Sequence, residues 1–380
     1  SASSPTIKNC IFLGNYATEY GGAVMNIYSS SPQIIDCTFQ GNSVGSGSSS
    51  IACGGAICNM VNSSPAIVNC TFKNNWTLYY GGAIYNEENC NPGITKCDFN
   101  TNNAQHGGGI YNYNNCNPQI TNSIISKNSA QYGGAIKNSE AQATLINCTL
   151  ADNYADLGGG IWNAWNGSSE LLNCILWNNS DQYGTSEAAQ IDGSPALPGI
   201  TSSGQPVTNV NYCCIEGLSG ILGGVGNISA EPLFYNPDSN DYHLKSEGWR
   251  WSVEQQGWTH DDVTSPCIDA GNPGSPLFDE PLNIDGGISN HWGKNVRINI
   301  GAYGGTSEAS MAPPGFNLLA DINNDGIVNL QDYAILSSFH ELPAHESIAV
   351  LQYEYGDLSR DGQITFADIA VLSHQWLQTS

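Results

Sequence analysis

The chain has 380 residues and a formal net charge of −24, with 10 Lys plus Arg against 34 Asp plus Glu. This balance disfavours nucleic acid and anionic membrane surfaces as partners, because both are bound through clustered cations. No apolar run approaches the roughly 18 residues of a membrane-spanning helix, so no membrane span is expected.

A short glycine-led phrase recurs in the first half of the chain. Its closing asparagines are separated by 33, 27, 26, 26 and 25 residues. A period in the mid-twenties is typical of one coil of a solenoid, because it is too short for a separately folded domain. The copies are GGAVMN (21–26), GGAICN (54–59), GGAIYN (81–86), GGGIYN (107–112), GGAIKN (133–138) and GGGIWN (158–163).

A second phrase runs in step with the first and gives each coil two further apolar bursts. Bursts this short favour strands over helices. The odd spacing between its Ile and its Cys predicts a bend at the residue before the Cys, which is Asn or Asp except at Lys96. The copies are SPTIKNCIFLGN (4–15), SPQIIDCTFQGN (31–42), SPAIVNCTFKNN (64–75), NPGITKCDFNTN (91–102) and NPQITNSIISKN (117–128), with degenerate copies at 142–153 and 168–179.

Three strands per coil, with bends between them, predict an all-β fold, a parallel β-helix. Stacked coils place equivalent residues in ladders about 4.8 Å apart. One interior ladder is expected to start at Phe12 and another at Ile7, and a turn ladder of asparagines is expected to start at Asn15. The Gly/Ser-rich stretch 43–53 makes one coil longer and is expected to leave the stack as a loop.

The two phrases resemble the right-handed parallel β-helix proteins, and among them the repeats of polymorphic outer-membrane proteins, which pair GGAI with FxxN. The resemblance covers about residues 4–179. It implies a secreted protein, extracellular or on the cell surface. The fold itself leaves function open, since adhesins, lyases and hydrolases share it.

The 13 cysteines are too regularly placed to indicate only a disulfide scaffold. Six occupy one coil position and are predicted to form a buried ladder of small apolar side chains. Cys90 and Cys116 lie at matching sites in neighbouring coils, and a bond between them is an open alternative. The six are Cys10, Cys37, Cys70, Cys97, Cys148 and Cys174.

From residue 188 to 310 the period weakens, and irregular β-helix coils with a cap are expected. This section resembles the C-terminal part of many bacterial secreted β-helix proteins with exchangeable surface anchors. Trp249, Trp251 and Trp258 lie close together near Asp261 and Asp262. These indoles could stack on sugar rings beside two carboxylates, or they could pack on the wall of the β-helix.

After a predicted linker at 311–316, residues 317–380 carry two calcium-type loops 36 residues apart. Ligands fall at loop positions 1, 3, 5, 7, 9 and 12, and glycine at position 6 allows the sharp turn. Helix-like runs follow at 333–339 and 369–376. The predicted ligands are Asp321, Asn323, Asp325, Ile327, Asn329 and Asp332 in the first loop, and Asp357, Ser359, Asp361, Gln363, Thr365 and Asp368 in the second.

Asp at position 12 and one helix per loop resemble dockerin modules. The resemblance implies a small α-helical domain, two Ca²⁺ ions, folding coupled to calcium and a cohesin-like partner. Leu330 and Gln331 differ from Phe366 and Ala367 at matching positions, so binding in two symmetric orientations is not expected. A module that packs only on its own β-helix is the alternative.

Catalytic residues are not assigned by the sequence. The lysines of the regular coils occupy scattered coil positions, and the aspartates of those coils share no ladder. The residue before each repeat asparagine points outward instead and suggests an aromatic stripe for glycan stacking, although aromatics also stabilise parallel sheets. The candidate stacking residues are Tyr85, Tyr111, Tyr113, Trp162 and Trp165.

We therefore expect a non-catalytic extracellular scaffold for assembly or adhesion. Its regular β-helix is expected to form a domain over residues 1–187. Its expected partners are a cohesin-like protein or copies of itself, with polysaccharide as a further ligand. The alternative is a secreted polysaccharide-degrading enzyme of the β-helix fold, either a lyase or a glycoside hydrolase.

Overall fold

A computed structural model describes residues 3–45, 51–193, 207–281, 295–313, 315–316, 318–340, 358–359 and 366–378. The chain forms two compact units. The first contains residues 1–209 and 215–222, and the second contains residues 210–214 and 223–380.

The first unit is a right-handed parallel β-helix whose coils each add one strand to three long sheets. The first sheet contains Thr6–Lys8, Gln33–Ile35, Ala66–Val68, Gly93–Thr95, Gln119–Thr121, Gln142–Ile146 and Ser168–Leu172. The second sheet contains Ile11–Leu13, Thr38–Gln40, Thr71–Lys73, Asp98–Asn100, Ile124–Ser126, Thr149–Ala151 and Ile175–Trp177. The third sheet contains Val24–Ile27, Ile57–Met60, Ile84–Glu87, Ile110–Tyr113, Ile136–Ser139, Ile161–Ala164 and Ile191–Asp192.

Shorter elements complete the coils. A fourth strand position, not predicted from the sequence, lies between the second and third sheets and forms a strand only in some coils, with isolated bridges at Asn103 and Ser180. Its strands are Tyr16–Ala17, Ser43–Val44, Trp76–Thr77, Ser129–Tyr132 and Tyr154–Leu157. The stretch 43–53 therefore begins as a strand, and residues 46–50 of the predicted loop lie outside the described residues. A helix, α1, spans Glu187–Gln190, and the strands Val207–Asn211 and Cys214–Ile215 follow.

The predicted interior ladders are confirmed by the pairing register. Phe39 pairs with Phe72, and Ile34 pairs with Ile67. The rings of Phe12, Phe39, Phe72 and Phe99 stack with centroids 4.6–4.8 Å apart. Parallel in-register stacking thus places each apolar burst over its equivalent in the next coil.

The predicted bends are confirmed as well. The bend residues of the coils have φ between 47° and 54°, which is the left-handed region. Asn and Asp tolerate this conformation, whereas Lys96 adopts it at φ 54° without that advantage. The bend residues are Asn9, Asp36, Asn69, Lys96, Asn122, Asn147 and Asn173.

Buried amide ladders connect the coils. In the predicted turn ladder, the Asn75 side chain donates to the Asn102 amide oxygen at 2.9 Å and to the Phe39 carbonyl at 2.9 Å. The repeat asparagines form a second ladder, in which Asn86 donates to Asn112 at 2.8 Å. Each side chain satisfies groups of two coils, so these buried amides avoid the cost of unpaired polar atoms.

The paired glycines are required by close backbone contact. Gly81 has φ 66°, and a Cβ atom at Gly82 would overlap the carbonyl oxygen of Gly108 in the next coil. This position brings the backbone of successive coils together just before the third sheet begins.

The cysteine ladder is confirmed as a buried structural feature. The Cys70 thiol donates to the Val68 carbonyl at 3.2 Å, and all 13 cysteines are free thiols. Cys90 and Cys116 are stacked but not bonded: the Cys90 backbone N–H donates to the Cys116 sulfur at 3.2 Å.

The described residues of the second unit form two hairpins, irregular segments and two helices. The hairpins pair Phe234–Asn236 with Asp241–Leu244, across a 3₁₀ turn at Pro237–Ser239, and Arg250–Ser252 with Gly257–Thr259. Helix α2 spans Leu330–His340 and helix α3 spans Phe366–His374. Leu336 in α2 and Leu372 in α3 are both 2% exposed.

The tryptophan-rich segment supports packing and not a glycan surface. Trp249 lies against His260 with ring centroids 3.7 Å apart, and Trp251 meets Trp258 edge to face. Asp261, one of the two proposed carboxylates, accepts a hydrogen bond from the Arg250 guanidinium at 2.8 Å in a largely buried ion pair. The Asp261 carboxylate therefore has a structural role as the partner of Arg250.

Candidate functional site

Three ladders converge on the outer side of the third sheet. The middle ladder consists of the residues that precede the repeat asparagines, and the register confirms that they are aligned. Since side chains alternate along a strand, this ladder lies on the opposite face from the buried Ile84 ladder. Its members are Met25, Cys58, Tyr85, Tyr111, Lys137 and Trp162.

The ladder that precedes the paired glycines covers one side of the middle ladder. It includes Tyr80, His106 and Tyr132, which are bridged in succession from coil to coil. Tyr80 stacks on His106 at 5.4 Å between centroids, and His106 stacks on Tyr132 at 5.2 Å. The third ladder lies two residues beyond the middle one and contributes Tyr113.

We call these residues, together with the adjacent Trp165, the aromatic cluster. The rings from Tyr80 to Trp162 contact one another in succession: Tyr132 and Trp162 stack at 4.5 Å, and Tyr85 and Tyr111 are tilted with centroids 5.5 Å apart. The aromatic cluster consists of Tyr80, Tyr85, His106, Tyr111, Tyr113, Tyr132, Lys137, Trp162 and Trp165.

Exposure within the aromatic cluster differs from the sequence expectation of an open stripe. Tyr85, Tyr111 and Trp162 are only 5%, 4% and 7% exposed. They are covered because the segment before each glycine pair packs its own rings over them. Tyr113 is half-buried and Trp165 is 48% exposed, so these two candidate stacking residues form the accessible edge.

Lys137 occupies the centre of the aromatic cluster and is 3% exposed. Its Nζ lies 4.9 Å from the Tyr111 ring centre and 4.7 Å from that of Trp162. The same atom is 3.1 Å from Nδ1 of His106. The aromatic faces and the imidazole replace the water that an exposed ammonium group would keep.

Burial alters the protonation of both partners. It lowers the pKa of Lys137 from 10.5 to about 7. Burial, and secondarily the charge of Lys137, lowers the pKa of His106 from 6.5 to about 3. His106 is thus a neutral imidazole near neutral pH, and its Nδ1 accepts the hydrogen bond from Lys137. An amine that titrates near neutrality is able to donate or accept a proton.

Two further polar groups are relevant to the site, one within the aromatic cluster and one beside it. The Trp162 indole N–H is buried and has no hydrogen-bond partner among the described residues. Burial raises the pKa of the Glu87 carboxyl, an effect that the Tyr85 hydroxyl opposes. The free N–H is a donor that a ligand hydroxyl is able to satisfy.

Sequence reasoning did not find the contact between Lys137 and His106. It placed Lys137 among the outward residues before the repeat asparagines and among lysines at scattered coil positions, and it gave no role to Tyr80, His106 or Tyr132. The available signal was the residue directly before each glycine pair, which is aromatic or His in four coils, at Tyr20, Tyr80, His106 and Tyr132.

The first calcium-type loop is organised by its own acidic side chains. Asp321, at position 1, accepts hydrogen bonds from the backbone N–H groups of Asp325 and Gly326, the former at 3.1 Å and the latter at 2.9 Å. Asp332, at position 12, accepts from Ile322 at 2.8 Å through Oδ1 and from Asn329 at 2.8 Å through Oδ2. These bonds close the loop.

The loop runs directly into helix α2. Asn329 accepts a hydrogen bond from the Gln331 backbone N–H at 2.8 Å, and Asp332 accepts from the Asn329 N–H. This reciprocal pattern is a helix capping box, with Asp in place of the usual Glu. The same carboxylate therefore closes the loop and starts the helix.

The second loop is described only in part. The backbone N–H of Ser359 donates to Asp368 at 2.8 Å, which repeats the contact of Asn323 with Asp332. Asp357, Asp361, Gln363 and Thr365 lie outside the described residues. Position 3 therefore bonds position 12 in both loops.

The ligand chemistry of the first loop fits calcium, since it consists of carboxylate, amide and carbonyl oxygens around a glycine turn. In the described part of the chain, however, no three His, Cys, Asp or Glu side chains converge closely enough to hold a metal ion. The Asp332 oxygens face backbone N–H groups, which accounts for this arrangement.

Comparisons with known proteins agree with this architecture. Residues 1–150 match the family model of the right handed beta helix region, and residues 208–271 match the model named disaggregatase related. No curated protein and no solved structure gives a significant match. By fold and repeat, the protein is a right-handed parallel β-helix repeat protein.

Residues 319–377 match the dockerin type I domain, which covers both calcium-type loops. The protein is therefore a β-helix protein with a C-terminal dockerin domain. Dockerin type I domains bind calcium and cohesins, and proteins that contain them are typically extracellular or on the cell surface. Among the described helices, none has the length and apolarity needed to cross a membrane.

Proposed function

We propose that the protein is a secreted carbohydrate-binding component that its dockerin domain attaches to a cohesin-bearing partner. The aromatic cluster carries the first half of this proposal. Sugar rings stack on aromatic faces and hydrogen-bond to adjacent hydroxyl and indole groups. Trp165 and Tyr113 offer the accessible faces, and Trp162 in the same cluster has a buried N–H without a hydrogen-bond partner among the described residues.

The charge of the site favours uncharged glycans. Lys137 is the one cation of the aromatic cluster, is buried and loses its charge near pH 7, whereas Glu87 adds a carboxylate beside Tyr85. The net charge of −24 repels polyanions further. A neutral polysaccharide is repelled neither by the Glu87 carboxylate nor by the net charge of the protein.

The dockerin domain carries the second half of the proposal. We assign one Ca²⁺ ion to each loop, held by the predicted residues at positions 1, 3, 5, 7, 9 and 12, the carbonyl of Ile327 serving at position 7 of the first loop. Leu330 and Phe366, at the starts of α2 and α3, are 69% and 86% exposed. These apolar side chains suit contact with a cohesin.

Affinity electrophoresis tests the glycan proposal. Hydroxyethylcellulose and carboxymethylcellulose share a backbone and differ in charge, so the first is expected to retard the protein and the second is not. Trp165→Ala is expected to abolish the retardation. Trp76→Ala is the matched control, because Trp76 is 44% exposed and lies on a strand outside the third sheet. Equal migration of the wild type in both gels would count against the proposal.

A second candidate function is polysaccharide degradation, and the contact between Lys137 and His106 favours it. A buried amine that titrates near neutrality beside a neutral imidazole is typical of catalytic proton transfer. Incubation with neutral and esterified polysaccharides would then release reducing or unsaturated ends, and Lys137→Met would remove this activity. Binding without product release supports the non-catalytic proposal.

A further inference from the structure

Arg297 connects the first calcium-type loop to the preceding part of the second unit, residues 223–313, which we call the β-section. Its guanidinium is 1% exposed and donates to three backbone carbonyls. Nη1 donates to Asp321 in the loop at 2.6 Å, and Nε donates to Gly271 at 2.8 Å. A third bond, from Nη2 to Ala270, is 3.3 Å long. One buried cation therefore joins position 1 of the loop to the turn at residues 270–271.

Asn324 makes a second, independent connection from position 4 of the same loop. Its side-chain amide donates to the carbonyl of Gly226 at 2.7 Å and to that of Ala270 at 2.9 Å. Its backbone has φ 59°, which Asn tolerates. The loop thus contacts two separate segments of the β-section.

The Arg297 side of the contact is itself fixed by a buried carboxylate. Asp269 accepts hydrogen bonds from the backbone N–H groups of Val296 and Arg297 at 3.0 and 3.2 Å. Ala270 and Gly271, which receive the guanidinium, directly follow Asp269. The segment that carries Arg297 and the segment that accepts its hydrogen bonds are therefore held together independently of the loop.

We propose that the first calcium-type loop is an internal interface, held to the β-section by Arg297 and Asn324, so that calcium in this loop stabilises the β-section as well as the dockerin domain. The inference rests on the proposed calcium binding. The second loop has Arg360 at the position of Asn324, so the two loops are not interchangeable.

Hydrogen–deuterium exchange of the full chain, with calcium and with chelator, tests this inference. Removing calcium is expected to increase exchange at least tenfold in peptides that cover 226–228 and 267–272. Asp325→Ala, at position 5 of the first loop, should cause the same increase in exchange even when calcium is present. Asp361→Ala, at position 5 of the second loop, is the matched control and should leave those peptides unchanged.

Asn324→Gly separates the interface from calcium binding, since glycine keeps the left-handed backbone and removes both side-chain bonds. Exchange at 226–228 and 267–272 should rise while isothermal titration still detects calcium. Calcium binding with no change of exchange in any variant would overturn the internal interface alone. No calcium binding by the wild type would overturn both this inference and the proposed docking.

Discussion

Replacing Lys137 with Met is expected to stabilise the protein. Burial lowers the pKa of Lys137 from 10.5 to about 7, a difference of about 3.5 units. Each unit corresponds to about 1.4 kcal/mol, so the charged lysine costs the folded state about 5 kcal/mol below pH 7. Lost ammonium–aromatic contacts offset about 2 kcal/mol of this cost. Lys137→Met should therefore raise the free energy of unfolding by about 3 kcal/mol at pH 6.

The stability difference between Lys137→Met and the wild type should decrease as the pH rises. Between pH 7 and 10.5 the unfolded chain binds more protons than the folded protein, because the pKa of Lys137 is lowered on folding. The free energy of unfolding of the wild type therefore rises with pH between pH 7 and 10.5. The difference in free energy of unfolding between Lys137→Met and the wild type decreases by about 1.4 kcal/mol per pH unit until it reaches zero.

Urea unfolding of both proteins at pH 6, 8 and 10, followed by circular dichroism of the β-helix transition, measures these differences. Lys137→Arg is the comparison variant, since it retains a charge at every pH and should be less stable than Met throughout. A Met variant that is less stable than the wild type at pH 6, with a difference that does not change with pH, would refute the reasoning.

Three further outcomes are expected. Lys96→Gly should stabilise the β-helix by about 0.5–1 kcal/mol in thermal unfolding, because Gly relieves the left-handed strain at this bend; a destabilised variant would contradict this reading. Phe72→Ala should cost about 3–5 kcal/mol, since it leaves a cavity in a continuous ring stack; a loss below 1 kcal/mol would show that the stack collapses around it. Burial lowers the pKa of His243, but the hydrogen bond that its ring donates to the Asp241 carboxylate and the nearby Glu308 carboxylate outweigh burial and raise the pKa overall. The contribution of His243 to the free energy of unfolding should therefore be complete below pH 6.5 and be lost as the pH rises through the raised pKa. His243→Gln should remove this pH dependence from the free energy of unfolding.

The repeat made the β-helix predictable. Each coil position recurs in successive coils, so the Phe72 ladder, the Asn75 ladder and the bend at Asn69 were each supported by several copies. The bend at Lys96 followed from its position alone, although Lys has no preference for that backbone. The close approach of successive coils at Gly82 explains why the glycines of the repeat come in pairs.

The candidate site was less predictable because its contacts join different ladders. Lys137 and His106 occupy different coil positions and are 31 residues apart, so comparison of equivalent positions does not bring them together. Their contact depends on how the segment before each glycine pair crosses over the third sheet. The contact of Arg297 with Asp321 lies where the repeat has faded, so no periodic signal predicted it.

Oxidative footprinting with hydroxyl radicals tests the central claim most directly, because it reports which aromatic side chains a bound glycan covers. Hydroxyethylcellulose is expected to reduce the oxidation of Trp165 and Tyr113 several-fold. Trp76 and Tyr183, which are 44% and 81% exposed elsewhere on the first unit, should be oxidised equally with and without the glycan. Unchanged oxidation of Trp165 and Tyr113 at a glycan concentration that retards the protein in gels would contradict the assignment of glycan binding to the aromatic cluster.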